Sequence, residues 1–321
     1  MIADPVYMIV FTFIIIIIGF FVCSFDIQKG LERISKFLMI GLLALVSILA
    51  INSLTLSGAG AGLEFYLVPD FSKMAEQGIG DVIISSMSQA FFTLSIGIGS
   101  MAIFGSYIGK NRALFGEALN VTVIDTFIAI TAGLIIFPAC FTFGISSDAG
   151  PSLIFITLPT VFNNMACSQL WSSLFFLFMT FAALTTVLAV FEAMNACTSD
   201  LAKVSRKKAC AMNFPIMLIL ALPCLFGYNL LSGFQPLGTG STILDLEDFI
   251  VSNLLLPLGG LIIVLFCTWR YGWDWKNFTD ECNTGKGVKI KEWLRPYLAY
   301  VLPLIIAVII VYGLLQKFKI V

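Results

Sequence analysis

Apolar stretches of about 20 residues recur along nearly the whole chain, and this repetition constrains the fold more than any other feature. A helix needs roughly 20 apolar residues to cross a hydrocarbon layer of about 30 Å. Of the 321 residues, 59% are hydrophobic and only 12% are charged, whereas soluble domains carry about 25% charged residues. No alternating strand pattern suggests a barrel, so the backbone polar groups must be paired inside helices. The sequence predicts an all-α, polytopic bundle of membrane helices in the cell membrane.

Hydropathy predicts eight transmembrane helices, at roughly residues 6–24, 36–55, 86–108, 117–143, 168–196, 209–231, 247–269 and 294–315. If the first span runs from outside to inside, every Lys and Arg except Lys73, Lys317 and Lys319 falls in a cytoplasmic loop. Positive residues favour the cytoplasmic side, so the N-terminus is predicted to be extracellular. The first six residues hold neither a positive charge nor a cleavable signal. Further spans upstream of Met1 would explain this orientation.

Several function classes are disfavoured by what the chain lacks. Histidine is absent, which removes imidazole as a base, a metal ligand or a pH switch. The eight cysteines include no CxxC pair and fall mostly within apolar spans, so we interpret them as small apolar fillers. A formal net charge of −1 gives no argument for a nucleic-acid partner. An intramembrane enzyme would need a nucleophile and a base, or a metal group, in one cavity.

Two predicted extracellular segments, residues 56–85 and 145–167, have the composition of lids. The first holds a Gly-Ala-Gly-Ala-Gly run, and the second contains an apolar stretch that ends at Pro159. An apolar re-entrant segment at the bilayer edge usually packs into protein, because exposed backbone there would be unpaired. Ordinary interfacial packing is an equal alternative.

The third predicted span contains Ser95, Gly97, Gly99 and Ser100 within six residues. Two glycines two residues apart do not share a helix face, so a small-xxx-small packing motif fits poorly. The segment could instead unwind near the middle of the membrane and offer backbone groups to a ligand, as broken transporter helices do. Glycines placed only for close helix packing are the alternative interpretation.

Two carboxyl groups, Asp125 and Glu192, lie among apolar neighbours in predicted spans. An ionised aspartate at the centre of a span costs about 3 kcal/mol, so it normally has an ion, a proton or a water cavity as partner. A cation is the natural partner for Asp125, which lies near the middle of its helix. For Glu192, a structural carboxyl that is protonated or capped by neighbouring helices is the favoured interpretation.

Small and hydroxylic residues mark one face of the fifth span. Ala182, Thr185 and Thr186 are spaced i, i+3 and i+4, which places them together on a helix. Hydroxyl and carbonyl oxygens are the ligands that small hard cations prefer. Threonines in membrane helices more often donate back to their own carbonyls, which is the competing interpretation.

An ordered series of motifs resembles the neurotransmitter:sodium symporter family, bacterial type, over essentially the whole chain. The stretch from Gln89 to Tyr107 resembles the family's sixth helix, which is unwound around the substrate. Five further stretches are similar to its extracellular loop, its eighth helix, the loop after that helix, and the segments before and after its fifth helix. In that order they are Gly150–Pro159, Phe181–Thr186, Val204–Lys208, Gly30–Lys36 and Val68–Phe71. The resemblance implies a leucine-transporter-like inverted-repeat fold, of which this chain holds helices four to eleven as a single transmembrane domain.

The resemblance also implies a function, namely uptake of an amino acid together with sodium as the coupling ion and without other cofactors. It implies that Thr93 and Asp125 bind one sodium ion, and that Ala182, Thr185 and Thr186 bind a second. The residues implied to line the substrate pocket are Phe92, Ser95, Gly97, Ile98, Thr186 and Val190. Animal members bind chloride through residues that match Gln89 and Thr93, but Ala129 replaces the serine of that site. The acidic Asp125 could replace the anion, which predicts transport without chloride.

The chain is expected to lack the family's first three helices, which supply further sodium ligands and an aromatic gate. We therefore predict an incomplete, partial fold that does not transport by itself. The alternative is a non-transporting membrane fragment, or a subunit that needs a separate N-terminal piece. Sodium-dependent uptake on co-expression with such a piece would separate a split transporter from a relic.

Overall fold

Helices make up almost all of the regular structure in the computed structural model, which describes residues 4–24, 28–144, 158–163 and 167–317. The α-helices of these residues are α1 (Pro5–Ser24), α2 (Gln28–Leu54), α3 (Ala59–Leu67), α4 (Phe71–Gln77), α5 (Ile79–Thr93), α6 (Ser100–Tyr107), α7 (Leu114–Phe143), α8 (Leu158–Asn163), α9 (Ser168–Ala202), α10 (Arg206–Gly227), α11 (Ile243–Ile250), α12 (Leu256–Thr268), α13 (Trp275–Cys282) and α14 (Leu302–Lys317). A π-helical turn, Val251–Leu255, joins α11 to α12, and a second, Tyr297–Val301, leads into α14.

Six helical stretches in the described residues are long and apolar enough to cross a membrane: Pro5–Ser24, Leu114–Phe143, Ser168–Ala202, Arg206–Gly227, Ile243–Thr268 and Glu292–Leu315. A seventh is obtained if Met39–Leu54 and Ala59–Leu67, which bend by 115° at their break, count as one span. The predicted third span consists of two shorter helices, α5 and α6. The predicted count of eight stays a prediction.

The chain divides into two compact units. The first holds the described residues of Met1–Phe25, Gln77–Thr122 and Leu188–Val321, and the second those of Asp26–Glu76 and Val123–Val187. In the first unit α1 packs on α10, and α12 packs on α14. Its core includes Phe91, Leu256 and Ile306, so the end of α5 is held against α12 and α14.

The second unit is built around α2, residues 123–143 of α7 and residues 168–187 of α9. Leu49 and Phe162 are almost completely buried in its core. Added Cβ atoms at Gly58 and Gly62 would meet the backbone of α7, so the Gly-Ala-Gly-Ala-Gly run lets α3 approach that helix closely. The first half of segment 56–85 therefore packs into protein. Of segment 145–167, only residues 158–163 and 167 are described, and the role of both segments as lids stays a prediction.

Two thiols outside the membrane-spanning helices should differ strongly in reactivity. Burial raises the pKa of the Cys282 thiol to about 11, so the reactive thiolate is scarce near neutral pH. Cys167 is exposed. In single-cysteine variants that keep either Cys167 or Cys282, we expect maleimide to label Cys167 rapidly and Cys282 at least about tenfold more slowly. Unfolding should bring the two rates together, and equal rates in the folded protein would contradict the burial of Cys282.

Candidate functional site

The helix that begins at Ile79 is interrupted where the sequence predicts unwinding. Helix α5 ends at Thr93 and α6 begins at Ser100, so residues 94–99 form a non-helical break. Within it the backbone has positive φ at Ser95 (51°), Gly97 (93°) and Gly99 (83°). A right-handed helix cannot continue through such residues. The predicted unwinding is confirmed.

The glycines of this segment also allow close packing, so the unwinding interpretation and the close-packing interpretation both apply. An added Cβ at Gly97 would collide with the carbonyl oxygen of Leu256 and lie 2.8 Å from the Gly260 nitrogen, both on α12. An added Cβ at Gly259 would collide with the Gly97 carbonyl oxygen. The backbone of the break therefore packs directly against the backbone of α12 at Gly259 and Gly260. Sequence reasoning missed Gly259 and Gly260, although adjacent glycines in an apolar span are a recognisable signal.

Four of the predicted substrate residues lie at this break in the first unit. Phe92, on the last turn of α5, is 50% exposed, and Ile98, within the break, is 48% exposed. Ser95 and Gly97 are half-buried. An interrupted helix leaves backbone groups outside the regular hydrogen-bond ladder, and exposed apolar side chains beside them could contact an apolar substrate group. Of the other two, Val190 is half-buried on α9 in the first unit, and Thr186 belongs to the second unit.

Three predicted sodium ligands meet on α9 in the second unit. The carbonyl oxygen of Ala182 accepts hydrogen bonds from Thr185 Oγ1 at 2.8 Å and from Thr186 Oγ1 at 3.1 Å. Both threonines therefore donate back to the helix, as the competing interpretation states. A hydroxyl that donates still has lone pairs on its oxygen, so three hard oxygens remain clustered here.

The remaining sodium candidates occupy two different helices. Thr93 is the exposed last residue of α5, in the first unit. Asp125 is half-buried on α7, in the second unit. Each is engaged in interactions within the structure.

The carboxylate of Glu192 has a partner that sequence reasoning missed. Both terminal nitrogens of the Arg206 guanidinium donate to it, Nη1 to Oε1 at 2.9 Å and Nη2 to Oε2. The Tyr107 hydroxyl donates to Oε1 at 3.1 Å, and Arg206 Nε donates to the Cys23 carbonyl oxygen at 2.6 Å. Arg206 thus joins the end of α1, α9 and the start of α10. Glu192 is therefore a structural carboxyl that is capped by neighbouring helices, as the favoured interpretation of the sequence states.

Comparison with known proteins relates the chain to one family. The model of the sodium:neurotransmitter symporter family matches residues 6–320. An uncharacterized sodium-dependent transporter of Haemophilus influenzae is 33% identical over 97% of this chain and 66% of its own length. One of Bacillus subtilis is 34% identical over 83% of the chain and 57% of its own length. The crystal structure of MhsT in complex with L-phenylalanine has a TM-score of 0.85 and 35% identity, and the match covers 97% of this chain and 69% of that one.

The chain spans 57 to 66% of the length of these two curated relatives. That three family helices precede Met1 stays a prediction. The match over residues 6–320 confirms the family resemblance, and the structural likeness confirms a leucine-transporter-like arrangement of helices. The chain therefore belongs to the sodium:neurotransmitter symporter family, whose members are multi-pass membrane transporters.

Proposed function

We propose that this chain serves sodium-coupled symport of an amino acid into the cell, independently of chloride, as part of a transporter that is completed by the predicted N-terminal helices. The observation that carries the proposal is the break at residues 94–99, held open by three residues with positive φ. In membrane helices, irregular backbone is tolerated where it is buried in protein or lines a cavity. In secondary transporters such breaks bind substrates and coupling ions near the bilayer midplane.

The proposed substrate class is an amino acid with an apolar side chain. The solved relative with 35% identity holds L-phenylalanine. In this chain Phe92 and Ile98 offer exposed apolar surface beside the break, and Ser95 offers a hydroxyl. Backbone amides and the serine hydroxyl would contact the polar ends of the substrate, while the two apolar side chains would contact its side chain.

For sodium, we propose that the oxygens of Ala182, Thr185 and Thr186 bind one ion, and that Thr93 and Asp125 also supply sodium ligands. We expect Thr185→Val and Thr186→Val each to raise the sodium concentration for half-maximal uptake at least about tenfold, because a bond to a charged partner is worth about 1.5–3 kcal/mol. Thr180→Val is the matched control, since Thr180 also donates back to its helix, at 2.7 Å from the Phe176 carbonyl oxygen. An equal effect of all three variants would indicate helix perturbation rather than ion binding.

Independence from chloride is proposed because Asp125 would supply a fixed negative charge, whereas Ala129, four residues further along α7, has no hydroxyl to offer an anion. A fixed carboxylate beside a sodium ion can supply the balancing charge that an anion would supply. We expect uptake to stay within about twofold when gluconate replaces chloride on both sides of the membrane. A strict chloride requirement would reject this part of the proposal and leave the symport itself standing.

Uptake into proteoliposomes tests the proposed function directly, with the chain reconstituted together with the N-terminal piece that it is predicted to need. Each of the common amino acids is supplied in labelled form under an inward sodium gradient, and an equal potassium gradient serves as the control. The proposal predicts concentrative uptake of at least one apolar amino acid with sodium and background uptake with potassium. Equal uptake in the two gradients, or uptake of no amino acid, would overturn it.

A further inference from the structure

Two neighbouring cavities lie in the first unit, at the predicted cytoplasmic end of α12. The first is lined almost entirely by apolar atoms and has a volume of about 260 Å³; its walls include Phe91, Ile263, Val264, Cys267, Leu302 and Ile306. The second has a volume of about 390 Å³ and is lined by Arg270, Tyr271, Asp274, Arg295 and Tyr300 among others. Thr268 lines both cavities, so the apolar one adjoins the polar one.

We propose that this pair of cavities binds an anionic phospholipid, with its phosphate at Arg270 and Arg295 and one acyl chain in the apolar cavity. The apolar cavity reaches the break at residues 94–99, because Ile96 is one of its walls. The proposed site does not include the oxygens on α9, and it does not depend on the substrate proposed above.

Charge favours an anionic headgroup in the polar cavity. Guanidinium groups recognise phosphate through paired N–H donors. Among the described residues, neither Arg270 nor Arg295 has a carboxylate oxygen within the 4.0 Å of an ion pair. Arg270 donates one hydrogen bond to the Tyr271 hydroxyl at 2.9 Å and stacks on that ring, which leaves most of its five N–H donors for other acceptors. Asp274 is the one acid of this cavity, so the arginines outnumber it.

The surrounding aromatic residues fit a position at the level of the lipid headgroups. Tyr271, Trp293 and Tyr300 are 85%, 71% and 68% exposed, and Trp269 is 45% exposed. Tryptophan and tyrosine are enriched at membrane interfaces, because their rings are apolar while their polar atoms can reach water. Trp269 Nε1 donates to the Ala299 carbonyl oxygen at 3.0 Å, which holds the end of α12 against the π-helical turn before α14.

The chemistry of the first cavity favours an acyl chain over water. Water needs two to four polar partners in a buried site, and cavities lined by apolar side chains stay dry or take apolar guests. A small free anion would fill only the polar cavity. A phospholipid has both parts, a phosphate and a chain, and the membrane supplies it at high local concentration.

Photolabelling tests the proposal. The purified protein in neutral detergent is irradiated with phosphatidylglycerol that carries a diazirine in its acyl chain, and labelled residues are located by mass spectrometry. We expect labels on α12 and α14 residues of the apolar cavity. Unlabelled phosphatidylglycerol should compete, whereas phosphatidylcholine and inorganic phosphate should not.

In the double variant Arg270→Gln and Arg295→Gln, the concentration of unlabelled phosphatidylglycerol that halves the labelling should rise roughly 25-fold. This corresponds to about fivefold for each arginine near an anionic headgroup. Lys289→Gln with Lys291→Gln, which removes the same charge from exposed positions of the same loop, should change that concentration less than about twofold. Equal effects of the two pairs, or equal competition by phosphatidylcholine, would overturn the proposal. Full competition by inorganic phosphate would overturn it in favour of a small-anion site. Since all four residues are exposed, elution as a single folded species checks each variant.

Discussion

The Gly97→Ala variant is expected to lose at least about 99% of sodium-dependent uptake, because two separate effects, backbone strain and a steric collision, disfavour alanine at this position. Its φ of 93° lies in a region that L side chains rarely adopt, and its Cβ would collide with the Leu256 carbonyl oxygen. Conformational strain costs about 1–2 kcal/mol and overpacking about 1–3 kcal/mol. A total near 3 kcal/mol corresponds to roughly a hundredfold change. The measurement is initial uptake at saturating sodium, normalised to folded protein.

Gly105→Ala is the matched control for this prediction. Gly105 lies on α6, a few residues beyond the break, and an added Cβ there meets nothing within 4 Å. Alanine in a helix should leave uptake unchanged and add up to about 1 kcal/mol of stability. Gly259→Ala should behave like Gly97→Ala, since its Cβ would press on the Gly97 carbonyl oxygen. Normal uptake by Gly97→Ala would mean that the break is not held in this conformation.

The second large effect is expected at the ion pair of Glu192 and Arg206. The Glu192 side chain is 14% exposed and the Arg206 side chain is 31% exposed, so this ion pair is intermediate between a fully buried pair and a surface pair. Loss of one partner costs about 3–5 kcal/mol when a pair is buried, whereas an exposed pair is worth about 0–1 kcal/mol. We expect Glu192→Gln to lower the free energy of unfolding by about 2 kcal/mol, because Arg206 loses its neutralising charge. Thermal unfolding of the purified protein in detergent measures this loss.

A double-mutant cycle separates the pair from its surroundings. Arg206→Gln should also cost about 2 kcal/mol, and the double variant should cost less than the sum by about 1–2 kcal/mol. Lys207→Gln, at the exposed next position of α10, is the charge-matched control and should change stability by less than about 0.5 kcal/mol. If the stability cost of the double variant equals the sum of the two single costs, the pair does not hold α9 to α10.

Local sequence signals predicted the long helices and the break well. Membrane solvation fixes helix length, so apolar runs gave bounds close to those observed, as for Pro5–Ser24 and Leu114–Phe143. The break followed from Gly97 and Gly99, because positive φ is a local property of glycine. Ser95, which also has positive φ, carries no such signal by itself.

Tertiary partners were beyond the reach of the sequence. The sequence predicts that neighbouring helices cap Glu192 but does not identify Arg206 as the partner, because Arg206 lies 14 residues away at the start of the next helix. Only the packing of α9 against α10 brings the two charges together. The glycine pair on α12 was missed for the same reason, since its meaning depends on the approach of Gly97 from a distant segment.

The central claim is that sodium and an amino acid are coupled, and the most direct measurement of this is reciprocal flux in one set of proteoliposomes. Coupling between two ligands is reciprocal in binding, so each should promote the binding of the other. Sodium should raise the uptake of the labelled amino acid, and the unlabelled amino acid should raise the uptake of radioactive sodium, each at least about fivefold. Sodium flux that is indifferent to the amino acid, with amino-acid uptake indifferent to sodium, would contradict the account.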